Sequence, residues 1–579
     1  MLDFVKSSNT DANAVQRRHT TAVRTAFVAA VFSFIVAVLL FANAYRMKVA
    51  DVRDEDALAE MKLKVTRQSA DVALLEEIRQ TDTDNRQNRF GHLEFSHKGS
   101  RLLLGGLVVF FAALKWAHTL KKKLPHPQLA PNQQETQMRQ AVLARRAVAV
   151  AVVGFCLVSL AWAFKREIRH GVDKVVKPYP TMEEVYKNWP AFRGPEGAGV
   201  SAYTNIGDKW DAESGEGILW KASVPLEGHS SPLLWGNRIF LTGADAKKYI
   251  YNVYCFDADS GKLLWTGLVP NAVGADGEPL DVMEDTGLAA STGVTDGRRV
   301  YAIFATGNVA AFDYDGNRVW LRKLGVPDSV YGYSSSLAIH QDKVIVQFDQ
   351  ATSDDGLSKV IALDSFTGRT VWETKRPVGN SWSSPIVAEV QGDRRLFTAA
   401  DPWVIAYDPA TGAEIWRAEC IMGDIAPSPI YANGLVFAVE PYSRLVAIRT
   451  GGKGDVTETH FAWFAEDDIP DICSPVSNGK LVWILTTDGL LTCYNVADGK
   501  KLWDHEFDRA VFNASPSIVG DKLYLLNRKG VMHIIEAADE FREITTCKVG
   551  GKCFASPAFA DGRIYIRTTE NLYCIGIAK

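Results

Sequence analysis

The residues of this 579-residue chain best suited to chemistry stand singly, between strand-like runs. They are Glu227, His229, Tyr331, Tyr333, Asn380, Trp382, Asp424, Asp467, Asp468, Asp471, Phe512 and Asn513, with His229, Tyr333, Asn380, Trp382, Asp424, Asp471 and Asn513 the strongest binding candidates. Carboxylates, amides, flat aromatic faces and one imidazole suit the capture of a peptide, a glycan or a cation; for any single residue the plain alternative is a solvated loop rim. No reactive arrangement accompanies them. There is no G-x-S-x-G nucleophile and no Gly-rich phosphate loop after a strand. The eight cysteines form no C-x-x-C pair and no Cys/His cluster. Asp276, Glu278, Asp281, Glu284 and Asp285 make one insertion acidic, but not at EF-hand spacing, so a solvated loop is expected ahead of a calcium site. Asp354-Asp355-Gly356 reads as a turn. The expectation is therefore no catalytic residue, no metal and no cofactor. A net charge of −4 gives no electrostatic footprint for nucleic acid.

These residues are positioned by a repeat. Ala406-Tyr407-Asp408-Pro409-Ala410-Thr411-Gly412-Ala413-Glu414-Ile415-Trp416 reads as a strand, a tight turn and a second strand ending in tryptophan. Asp408 can bond its own backbone through the turn and Gly412 supplies positive φ there. The phrase recurs at 255–265, 362–372 and 493–503, and in shortened form at 311–320. Before each copy stand a small Ser/Pro-type pair, a strand, a Gly/Asp/Asn turn and another strand. The pairs are Ser231-Pro232, Ser291-Thr292, Ser334-Ser335, Ser384-Pro385, Ser428-Pro429, Ser474-Pro475, Ser515-Pro516 and Ser556-Pro557. Turns such as Asn433-Gly434 and Asp561-Gly562 are hairpin signals. A period of roughly 40–50 residues with four strands per unit predicts propeller blades.

The last unit ends at 572–576 without an outer strand, whereas Gly217-Ile218-Leu219-Trp220-Lys221 is an outer strand without a blade. Joining them closes the ring and removes an exposed edge. The predicted fold is an all-β eight-bladed propeller of four-stranded antiparallel blades over 217–576, closed by the N-terminal strand. Connections from each outer strand to the next inner strand cross one face, which places the candidate residues at the channel mouth.

Trp220, Trp265, Trp320, Trp372, Trp416, Trp463 and Trp503 share one repeat position. They are expected to pack between neighbouring blades with the indole N–H on a carbonyl, rather than to stack a base or sugar. The unit around Phe541 and Ile544 has no tryptophan, so that seam must be packed differently. Cys255, Cys493 and Cys574 read as small buried strand residues; Cys547 and Cys553 are near enough in sequence to pair across a loop.

The first 180 residues differ. Residues 1–24 form a polar, basic tail, and 25–45 is an uncharged apolar run long enough to span a bilayer. It reads as an uncleaved anchor, with a cleaved signal peptide as the rival. Segment 46–101 is charged, with apolar residues at helical spacing, and 102–120 is a second apolar run. A basic loop at 121–146 precedes a third run at 147–164, and 165–216 is linker and strap. The positive-inside rule puts the tail and the 121–146 loop in the cytoplasm and the propeller outside, although Lys165, Arg166, Arg169 and Lys174 oppose it. The expected location is the inner membrane, multi-pass, with the propeller on the periplasmic side.

The D-x-x-T-G-x-x-x-W phrase is similar to the tryptophan-docking motif of quinoprotein propellers. Over about 189–576 the chain resembles the PQQ-binding-like β-propeller repeat family, which includes the outer-membrane protein assembly factor of Gram-negative bacteria. Its phrase Trp189-Pro190-Ala191-Phe192-Arg193-Gly194-Pro195-Glu196-Gly197-Ala198-Gly199-Val200-Ser201, and a later one at 447–457, resemble those of bacterial envelope members. The resemblance implies a propeller and an envelope setting. A quinoprotein dehydrogenase of this kind needs PQQ with calcium, an aspartate base and adjacent disulfide-linked cysteines over the quinone; this chain has no Cys-Cys dipeptide. The function read from the sequence is thus a membrane-anchored, non-catalytic scaffold for envelope proteins or a polymeric ligand. The alternative is a membrane-bound PQQ-dependent alcohol or sugar oxidoreductase.

Overall fold

The computed structural model describes residues 16–40, 42–43, 99, 102–106, 108–120 and 180–576, the last stretch apart from 246, 249, 271–279, 281 and 284–285. Two compact units divide the chain, Met1–Lys177 and Pro178–Lys579. The third apolar run, the basic loop, the charged segment apart from Gly99, and the five acidic residues of the 276–285 insertion lie outside the described residues.

In the first unit, helices Gln16–Leu40 and Leu102–Leu120 are long and apolar enough to cross a membrane. The first carries buried small residues at Ala22, Ala26, Ala29 and Ser33, the second at Ala113 and Ala117. A Cβ on Gly106 would overlap the Ser33 hydroxyl, and one on Gly99 would meet Leu40. The helices therefore pack antiparallel through small side chains.

The second unit holds eight blades, each a four-stranded antiparallel core. The first seven blades begin with the inner strands Leu233–Trp235, Val294–Thr295, Ala338–His340, Ile386–Val390, Ile430–Ala432, Val476–Ser477 and Ser517–Val519. The eighth consists of Ala558–Ala560, Arg563–Arg567 and Asn571–Gly576, with Ile218–Ser223 paired antiparallel to the last of these. Strand interiors are almost wholly apolar because both faces of each sheet pack on neighbouring blades. Two blades gain a fifth strand. Gly454–Asp455 runs parallel to the outer strand Glu414–Glu419, and Val200–Ser201 runs parallel to Ser517–Val519.

Each docking tryptophan donates its indole N–H to the tight turn of the next blade. Trp220 reaches Ala258 O, Trp265 Tyr314 O, Trp320 Ser365 O, Trp372 Pro409 O, Trp416 Thr450 O, Trp463 Val496 O and Trp503 Ala538 O, at 2.9–3.3 Å. In the seventh blade the equivalent register position is Thr545, opposite Ile534. Trp210 of the strap is buried in the apolar cluster that includes Ile534 and Cys547 of the seventh blade and Ile566 and Tyr573 of the eighth. The strap is pinned there by Ala212 N–H on Lys548 O at 3.0 Å and by Lys522 on Asp208 at 2.7 Å. Cys547 and Cys553 are both free thiols. Cys547 Sγ lies 3.2 Å from Asp208 O and Cys553 packs elsewhere, near Gly551, so nearness in sequence does not become pairing.

A belt of hydrogen bonds runs round the channel at the start of the inner strands. The backbone N–H of Ser231 donates to Thr292 Oγ1, that of Thr292 to Ser336, and the sequence continues through Ser384, Ser428, Ser474 and Ser515 to Ser556, each at 2.9–3.2 Å. The expected pairs are corrected in two blades. Thr292-Gly293 and Ser336-Leu337 take the place that Ser-Pro fills elsewhere, because without proline nothing in the sequence marks the register.

Candidate functional site

The two ends of the channel differ. Beyond the belt, at the far end of the inner strands, the phrase at 189–201 lies across the ring. Trp189 bridges to Leu234 of the first blade and meets Phe559 of the eighth edge-on at 5.3 Å. Pro190 O accepts from Thr295 of the second blade at 2.9 Å. Glu196 is ion-paired with Arg394 of the fourth. Arg193 donates to Pro475 O of the sixth blade at 2.6 Å and to Pro516 O of the seventh at 3.4 Å. Six blades are thereby tied by thirteen residues, and the opposite end is left as the mouth.

At the mouth the candidate residues fall into separate groups. Trp382 meets Tyr331 edge-on at 4.7 Å, and its backbone N–H donates to Ile425 O at 3.0 Å. Asn380 sits in the same connection, held by its N–H on Ala351 O at 2.9 Å. Tyr333 lies deeper, 4% exposed and stacked on Phe348 at 5.7 Å. His229 is across the channel, stacked on Phe554 at 4.3 Å, while the Arg528 guanidinium lies 4.7 Å from the same ring. Asp471 accepts from Thr487 at 2.5 Å and from Tyr442 at 3.0 Å. Asp424 is exposed. Asn513 is half-buried, and its Oδ1 has no partner among the described residues. Asp468 is drawn to the blade edge by Lys501, at 2.7 Å, rather than to the mouth.

Beneath Tyr333 lies a polar cluster that sequence reasoning missed. Arg376 and Asp349 form an ion pair with both side chains wholly buried. Arg376 also donates to Thr398 Oγ1 at 2.9 Å, and Gln347 donates to Asp349 at 2.8 Å and to Ala399 O at 3.1 Å. Burial pushes the Asp349 carboxyl up, against the pull of Arg376. Burial likewise raises the Tyr333 and Tyr407 phenols, which stay neutral. Asp349 and Arg376 are 27 positions apart on different strand ends, and neither carries a local signal. Buried pairs of this kind specify one packing of a seam more than they stabilise it.

Among the described residues no three His, Cys, Asp or Glu side chains converge for a metal, and the seven described cysteines are free and buried. Their strand thiols at Cys255, Cys493 and Cys574 are pushed up to about 12 by burial and are inert.

Exposed apolar side chains stand on five of the connections between blades: Met283 (53%), Val330 (67%), Met422 (68%), Ile472 (39%) and Val511 (37%); Tyr442 (80%) is exposed on a turn within the fifth blade.

Known proteins share this architecture. The quinohemoprotein alcohol dehydrogenase of Comamonas testosteroni is 14% identical, with 68% of this chain and 81% of that one covered, at a TM-score of 0.50. Alcohol dehydrogenase ADHIIG of Pseudomonas putida HK5 is 13% identical over 69% and 83%, at 0.51. The BamB protein of Moraxella catarrhalis is 17% identical over 62% and 99%, at 0.47. For the two alcohol dehydrogenases the likeness, at these identities, is one of fold. No curated protein matches the chain. The model of the family described as outer membrane protein assembly factor BamB matches residues 208–352, 250–381 and 357–575. Those stretches take in most of the chain and every blade, and this chain belongs to that family of PQQ-like β-propellers.

Proposed function

We propose that this chain is a membrane-anchored envelope propeller that binds a protein or polymer at its open mouth and catalyses nothing. The observation that carries this reading is the set of exposed apolar side chains Met283, Val330, Met422, Ile472 and Val511, which lie on five of the connections between blades. Large apolar side chains gathered on the loops of a rigid scaffold favour an interaction surface. Membership in a family described by envelope assembly favours a protein partner. The pairing of Ile218–Ser223 with Asn571–Gly576 supports a ring closed by its N-terminal strand, a rigid platform for such a surface. The apolar helices Gln16–Leu40 and Leu102–Leu120 support anchoring, with the propeller on the periplasmic side.

The test is capture from detergent-solubilised membranes by the full chain, comparing wild type with a Met422→Glu/Ile472→Glu variant. Partners retained by the wild type and lost by the variant are the expected result. Stoichiometric quinone absorbance after reconstitution with PQQ and calcium, with alcohol- or sugar-dependent dye reduction, would overturn it. A reporter fused after Lys579 should be active only outside the cytoplasm.

A further inference from the structure

We propose that the central channel binds one small inorganic anion, of the halide class, on the guanidinium of Arg193. Arg193 is 1% exposed. A guanidinium carries five N–H bonds. Two of them, both on Nη2, go to the carbonyls of Pro475 and Pro516. The N–H bonds of Nε and Nη1 are buried and have no partner among the described residues. Among the described residues no carboxylate is ion-paired with Arg193, in contrast to the equally buried Arg376, which has Asp349.

The charge persists. Burial lowers the Arg193 guanidinium to about 9, which leaves it cationic at neutral pH. The ionisable group acting on it is Cys473, whose thiol burial pushes up to about 12 and so keeps neutral. Carbonyl dipoles on one edge solvate the cation without neutralising it. A buried charge without a counter-charge is strongly penalised, and the unused N–H edge is where a counter-ion gains most.

The backbone holds the guanidinium in place. Arg193 itself has φ 59°, in the left-handed region, and its carbonyl is fixed by Gly199 N–H at 2.8 Å. Gly199 leaves room for the side chain, since a Cβ there would stand 2.7 Å from Nη2. The hydroxyls of Ser474 and Ser515, next to the two prolines, each accept a backbone N–H and retain a proton to donate. One positive charge and a set of single donors match a monovalent spherical ion; a phosphate dianion would overcompensate the charge.

Bromide replaces chloride at such sites and is located by its anomalous scattering. Crystals of the full chain grown in sodium bromide should show a bromide peak within hydrogen-bond reach of Arg193 Nε and Nη1. Water there, with bromide only on the outer surface, would overturn the proposal. In solution, at constant ionic strength, chloride substituted for gluconate should raise the thermal midpoint of the wild type saturably. Arg193→Met should abolish that dependence. A midpoint in the wild type indifferent to halide would count against the site, as would a variant that keeps the dependence. A binding partner at the mouth enters neither measurement.

Discussion

The indole of Trp220, on the strand Ile218–Ser223 that pairs in the eighth blade, donates to Ala258 O of the first blade at 3.1 Å. The ring lies over Gly261, whose φ of 69° and bare Cα let the indole approach; a Cβ there would sit 2.5 Å from it. Trp220→Ala removes this plug and leaves a cavity, so it should destabilise the propeller by about 3 kcal/mol. Trp220→Phe loses chiefly the hydrogen bond, about 1 kcal/mol. Chemical denaturation measures both. Equal losses in the two variants would show that the carbonyl contact, not the bulk of the indole, holds this seam.

The buried pair of Asp349 and Arg376 makes a sharper claim. Asp349→Leu strands a buried cation and Arg376→Met strands a buried carboxyl, and either should lower stability by about 3–5 kcal/mol. The double variant removes both charges and should be closer to wild type than either single one. Losses that simply add would mean the two side chains are not energetically coupled.

At the seventh seam, Trp210 of the strap and Thr545 of the blade divide a task that one residue performs elsewhere. Trp210→Ala should destabilise by about 3 kcal/mol, much as Trp372→Ala should at an ordinary seam. Thr545→Trp in the Trp210→Ala background should recover part of that loss, because position 545 has the register of the other docking tryptophans. A double variant no better than Trp210→Ala would place Trp210's contribution outside the seam.

These cases mark what could be read from the chain before its structure. The blade count, the turns and the spacing of the tryptophans rest on contacts within one repeat or to the next, and such contacts leave a period. Thr545 betrayed an odd seam by breaking that period. The residue that fills it, Trp210, lies in a strap with no period at all. The course of 189–201 was equally hidden, since its contacts reach Pro475 and Pro516 over 282 and 323 positions. Polar partners at the mouth were the least legible. His229 was picked out by type, but Phe554 and Arg528 look like ordinary strand-end residues until the ring brings them to it. Ser336 was missed because its blade lacks the proline that marks the belt.

His340 gives the pH response of the third blade's inner strand. Burial first, then the cations Lys343 and Arg394, lower its imidazole to about 4, with Asp342 and Asp408 pulling the other way. In the unfolded chain the same imidazole titrates near 6.5. Between pH 6.5 and 4 the unfolded state therefore binds more protons than the folded one, and the stability due to neutral His340, complete above the unfolded value, is lost as pH falls. The full effect is at most about 3 kcal/mol. Thermal midpoints recorded across that window should fall with acid more steeply in the wild type than in His340→Gln. Parallel curves for the two proteins would mean that other groups carry the acid sensitivity.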